Sequence, residues 1–130
     1  MHQELILELS VITEEEQRIL DGRTEIDQEI YTEKKDMVID SSKLLQRGKL
    51  IQVRPHTRFV HFPEHTHNYI EEIYMCQGST THILNGNEVV LREGDLLFLN
   101  QNAVQEILPA GEDDIAVNFI ILPEFLDTAF

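Results

Sequence analysis

From Lys49 onward the sequence falls into eight short β-prone runs, separated by turn residues and with no helical pattern between them. The predicted strands are Leu50–Arg54, Arg58–Phe62, Tyr69–Cys76, Thr80–Leu84, Glu88–Leu91, Leu96–Leu99, Val104–Leu108 and Ile115–Leu122. Strands this short with no crossover helix confine the fold to an all-β sandwich or barrel. Asn85-Gly86 is the strongest hairpin signal, because a type I′ turn needs positive φ at both central residues. Glu93-Gly94-Asp95 marks a second tight turn. Several runs are apolar on both faces: Leu96 to Leu99 has no polar break, and Ile115 to Leu122 has only Asn118. A barrel wetted on its outside would alternate instead. The outer wall is therefore expected to be covered by the N-terminal arm, by a second subunit, or by both, and a two-fold homodimer is the commonest solution.

Residues 1–48 form that arm, with too few apolar residues to own a core, and residues 49–122 form the barrel. In the arm, Leu5, Ile6, Leu9 and Ile12 fall at helical spacing. Thr13-Glu14-Glu15-Glu16 has the form of a capping box, and Asp21-Gly22 is a stop. Residues 23–40 are ambiguous, with Met37-Val38-Ile39 looking extended. Asp40-Ser41-Ser42 predicts a second short helix closing at Gly48. Residues 123–130 begin another helix at Pro123, whose apolar face carries Phe125, Leu126, Ala129 and Phe130. Such a face ending uncovered is the expectation for a piece of a longer protein.

Charge excludes several functions. Ten Lys and Arg face 24 Asp and Glu, giving a net charge of −14. Nucleic-acid and anionic-membrane binding need clustered bases, and these residues show none. A lone cysteine, Cys76, allows no internal disulfide, and no signal peptide is visible at Met1, so the expected compartment is the cytoplasm.

The chemistry gathers at His65, His67 and Glu71. Side chains alternate along a strand, so positions 65, 67, 69 and 71 point to one inner face. Two imidazoles and a carboxylate can hold a divalent ion such as Fe, Mn, Zn or Ni. Alone, His-x-His more often marks paired surface histidines or a satisfied polar spot in a core.

His65-x-His67-x3-Glu71-x6-Gly78 resembles the first signature of the cupin superfamily, and Glu93-Gly94-Asp95-Leu96-Leu97-Phe98-Leu99 resembles the opening of the second. The resemblance spans roughly residues 50–122 and implies a double-stranded β-helix of the jelly-roll kind. Each motif departs from it once. Phe59 replaces the glycine that opens motif one. In motif two, Asn100-x-Asn102-x2-Gln105 replaces Pro-x-Gly-x2-His, so Gln105 stands where the resemblance implies a third metal-binding histidine. An amide is a poor substitute for imidazole at a transition metal. The two readings are a metal site of His65, His67 and Glu71, or a polar pocket in which these residues and Gln105 bind a small ligand.

The stretch Arg58-Phe59-Val60-His61-Phe62-Pro63-Glu64-His65-Thr66-His67, followed by Glu71-x2-Tyr74, is similar to the N-terminal sensor domain of AraC-type transcription regulators. That resemblance implies a cupin that binds an effector and helps dimerise. DNA binding would fall to a C-terminal pair of helix-turn-helix motifs, and no such pattern lies in these 130 residues. The alternative is a stand-alone cupin metalloenzyme, an isomerase or dioxygenase. Other polar residues take plainer readings. His56, His61 and His82 are expected at the surface or pocket rim, Glu14 to Glu16 at a solvated helix start, and Glu112-Asp113-Asp114 in a solvated loop. Glu72 lies on the opposite strand face from Glu71, and Cys76 is read as a small buried hydrophobe. Arg54 and Arg58 are candidates to steer an anionic ligand.

Overall fold

The computed structural model describes residues 3–34 and 36–129. The arm is α1 (Gln3–Leu9), α2 (Glu14–Leu20), α3 (Gln28–Tyr31), β1 (Val38–Ile39) and α4 (Ser41–Leu44). The barrel comprises β2 (Ile51–Pro55), β3 (Phe62–His67), β4 (Ile70–Gln77), β5 (Ser79–Leu84), β6 (Asn87–Arg92), β7 (Leu96–Leu99), β8 (Gln105–Ile107) and β9 (Ile115–Ile121). Helix α5 (Pro123–Ala129) follows, and Phe130, assigned above to its apolar face, lies outside the described residues. Among the described residues no helix is long and apolar enough to cross a membrane.

The strands form two sheets, ordered β1-β3-β8-β5-β6 and β2-β9-β4-β7, the face-to-face arrangement of a jelly roll. Turn chemistry closes the β5–β6 hairpin as its residues predict: Asn85 has φ 49° and Gly86 has φ 85°. The Thr13–Glu16 capping box is also present, with both reciprocal hydrogen bonds at 3.1 Å. The Asp40 helix exists but lasts one turn and ends at Leu44, short of Gly48.

Three expectations are corrected. Arg58–Phe62 is not a strand, because Phe59 adopts φ 73° in the left-handed region and breaks the extended run; the strand begins at Phe62. The predicted Tyr69–Cys76 strand begins at Ile70, and the histidines before it belong to β3 in the other sheet. Finally, the arm does not merely lie on the barrel. Ile19, Ile26, Tyr31 and Ile39 share one buried cluster with Val60, Phe62, Tyr69, Ile107 and Ile120.

What ties the arm down is ionic. Arg58 and Glu16 are each 2% exposed. The Arg58 backbone N–H and Nε each donate to Glu16 Oε2 at 2.8 Å, and Nη2 donates to Oε1 at 3.0 Å. The remaining guanidinium bonds reach the Glu112, Ser10 and Val11 carbonyls. Thus Glu16 is no solvated helix-start acid, and Arg58 is unavailable to a ligand. The Glu112–Asp114 loop is largely exposed as expected, with Asp114 accepting from the Ser79 and Gly111 backbone N–H groups.

On the outer face of the four-stranded sheet, Ile6 and Leu9 of α1 cover Cys76, Ile115 and Val117. Burial there raises the Cys76 thiol pKa, as suits a small hydrophobe. The next row of the same face, Val53–Phe119–Glu72–Phe98, runs across all four strands. Its ends stay open: Val53 is 50% exposed and Phe98 60%, beside Leu96 at 51%.

Candidate functional site

The link Asn68-Tyr69 carries the chain from one sheet to the other, yet the side-chain alternation survives the crossing. His65, His67, Tyr69, Glu71, Ile73 and Met75 are all buried. β3 pairs with β8 so that His65 faces Gln105 directly, and Gln105 is fully enclosed. All four predicted site residues are therefore buried, on strands of both sheets, but of the four only His65 and Glu71 line the cavity described below.

Their hydrogen bonds have fixed directions. His65 Nδ1–H donates to the Pro63 carbonyl at 2.7 Å, leaving Nε2 to accept from Gln105 Nε2 at 3.5 Å. The same amide nitrogen donates to Glu71 Oε1 at 3.3 Å, and the Tyr69 hydroxyl reaches Glu71 Oε2 at 3.5 Å. Gln105 Oε1 accepts from His82 Nδ1–H at 2.8 Å, and His82 Nε2 in turn accepts from the Thr80 hydroxyl at 2.8 Å. His67 stands aside. Its ring stacks on Tyr69 with centroids 4.7 Å apart, Nδ1–H donates to the Tyr69 carbonyl, and Nε2 is buried without a partner.

His82 and His56 are corrections to the surface reading. Both are buried: His82 is completely enclosed within this network, and the His56 ring lies 6.2 Å from it. His61 is the outward one, paired with Glu106 at 2.6 Å. The signal for His82 lay in register. Leu84 faces Gln105 and His82 faces Ile107, making His82 the diagonal neighbour of Gln105 on the inner face. Burial holds the His56 and His65 imidazoles down to about 4 and depresses His82 as well. It pushes the Glu71 carboxyl upward, against the pull of His67 and of the hydrogen bonds from Gln105 and Tyr69.

Beside the network lies a cavity of about 40 Å³, lined by His65, Glu71, Asn118, His56, Arg54 and the arm residue Tyr31 among others. The fold implies a metal here, and the donor set argues against one. His65 Nε2 and Glu71 Oε1 both face the Gln105 amide N–H₂, at 3.5 and 3.3 Å, and His67 turns Nδ1 to the Tyr69 carbonyl. Among the described residues no three His, Cys, Asp or Glu side chains are placed to hold an ion. We predict that calorimetry with zinc or nickel detects no tight site in the wild-type chain. Gln105→His, which removes that amide and adds an imidazole, should gain at least tenfold in affinity. Tight wild-type binding that Glu71→Gln abolishes would contradict this reading.

Two facing antiparallel-rich sheets around an interior of histidine, carboxyl and amide groups define a cupin barrel with a polar core. The sequence matches the AraC-like ligand binding domain over residues 50–129, and the chain belongs to that family of small-molecule-binding cupin domains. Solved structures with a similar fold include a cupin protein from Bacteroides fragilis, 20% identical, covering 58% of this chain and 68% of that one with a TM-score of 0.45. A Cupin 2 conserved barrel domain protein from Salinispora arenicola is 13% identical, covering 65% and 73% with a TM-score of 0.49. KdgF from Halomonas is 17% identical, covering 58% and 83% with a TM-score of 0.44. No curated protein matches the sequence.

Proposed function

We propose that these residues form the effector-sensing and dimerisation domain of an AraC-type transcription regulator in the cytoplasm, with binding rather than catalysis as their task. The observation that carries the reading is the cavity between barrel and arm. Its wall combines Glu71, His65 and Asn118 of the barrel with Tyr31 of the arm, so anything bound there touches both parts of the domain. Asn118 Oδ1, on the cavity wall, is buried without a partner. Buried polar atoms are normally satisfied, and a small ligand is one way to satisfy them. DNA contact is assigned to a separate helix-turn-helix region, since a net charge of −14 repels phosphate. Native mass spectrometry of protein purified gently from its own host should show a retained small molecule, one per domain. Its absence, together with no thermal stabilisation by the host's small-molecule extract, would overturn the reading.

For dimerisation, the support is the exposed apolar side chains Val53, Leu96 and Phe98 on the outer face of the four-stranded sheet. The chain should sediment as a dimer at roughly tens of micromolar, and Phe98→Glu should shift it to monomer. A wild-type monomer at that concentration would count against a sheet-face dimer.

A further inference from the structure

The cavity's hydrogen-bonding character says what kind of molecule it takes, an inference that rests on reading it as the effector site. Its walls offer acceptors. Glu71 is buried, yet its two contacts, from Gln105 at 3.3 Å and Tyr69 at 3.5 Å, are long. Charge-assisted bonds to carboxylates run about 2.7–2.9 Å. Among the described residues no lysine or arginine forms an ion pair with it. Asn118 Oδ1 adds a second acceptor without a partner. The neighbouring hydroxyl donors are committed elsewhere: Tyr31 and Thr57 both turn to the Glu15 carboxylate, at 2.6 and 3.2 Å. Arg54, the cationic lining residue, places its guanidinium over the Tyr31 ring, 5.7 Å from the centroid.

The neighbouring surface is mostly acidic. A groove of about 200 Å³ adjoins the cavity, sharing Arg54, Pro55, His56 and Thr57 with it, and carries Glu14 and Glu15 on its outer wall. The acidic chain concentrates cations in such a groove. The space of about 40 Å³ has room for about three water-sized groups, which limits what sits deepest.

We propose that the cavity binds a compact organic cation, an amine or amidine whose N–H groups reach Glu71 and Asn118. A buried carboxylate lacking a cation is costly, and a ligand ammonium relieves that cost while donating to the unpartnered amide oxygen. An anionic ligand would meet Glu71 head-on.

Three probes of nearly equal size separate the possibilities: n-propylamine, 1-propanol and propionate, titrated while the His65 and Asn118 side-chain signals are followed by NMR. The ammonium should bind at least tenfold more tightly than the alcohol, and propionate should leave both signals in place. Glu71→Gln, which preserves shape and removes the charge, should weaken the amine at least tenfold, and its unchanged spectrum elsewhere would show the fold intact. Equal or tighter binding of propanol or propionate overturns the inference while leaving the effector-site reading standing. Amine binding unaffected by Glu71→Gln, or no shift with any probe, overturns it too. The retained-ligand experiment then judges the wider reading separately.

Discussion

Arg58→Met should lower the stability of this domain by about 3–5 kcal/mol, the usual cost of leaving one member of a buried ion pair without its partner. The loss would be concentrated on Glu16, which is 2% exposed and would keep a carboxylate inside the protein with only the Thr13 and Arg58 backbone N–H groups as donors. For a domain of this size the melting temperature should fall by roughly 10–20 °C. The double variant Glu16→Leu with Arg58→Met should recover most of the loss, because well-packed apolar groups often replace a buried pair at little cost. Denaturant titration of the three variants checks this. If the double variant is as unstable as the single one, the geometry of the clamp matters more than its charge balance. An Arg58→Met variant as stable as wild type would show that the arm does not depend on the clamp at all.

Acid should unfold the domain well before its carboxylates are fully protonated. His56 and His65 titrate near 4 in the folded state because burial opposes their charged forms, while an unfolded histidine titrates near 6.5. The unfolded chain therefore binds more protons between these values. Stability is complete above pH 6.5, falls as pH drops through the window, and has lost the whole contribution below pH 4. Each histidine contributes about 3 kcal/mol over that range. His82, also depressed by burial, adds in the same direction. Glu71 works the other way: its raised folded pKa favours the proton, so acidification relieves part of the strain. Chemical denaturation at pH 7.5, 6.0 and 5.0 should show a steep decline, shallower in His56→Gln. A flat profile across this range would contradict the buried, uncharged histidines.

The parts of this molecule legible in its sequence were those set by local rules. Strand alternation placed His65, His67 and Glu71 on one face, even though the chain changes sheets at Asn68-Tyr69 between them. The capping box and the Asn85-Gly86 turn are contained within four residues and two. Glu16 shows where such rules stop. Its capping role follows from Thr13 three residues earlier, but its ion pair with Arg58 spans 42 positions and depends on how the arm docks. His82 was hidden for a similar reason: Thr80 and His82 point inward, while the more apolar Ile83 points away, reversing what hydrophobicity alone suggests. Phe59 defeated the strand assignment because a bulky residue gives no hint that its φ is positive.

The central claim is that the barrel interior, and not an outer face, receives the effector. The most direct measurement follows the histidine ring nitrogens by NMR while the small-molecule extract of the host is added. Bound effector should shift the His65 and His56 resonances, which line the cavity, and leave those of exposed His61, paired with Glu106 on the outside, where they were. Stabilisation by the extract with His65 and His56 unmoved, or with shifts confined to His61, would place the binding elsewhere and contradict the account.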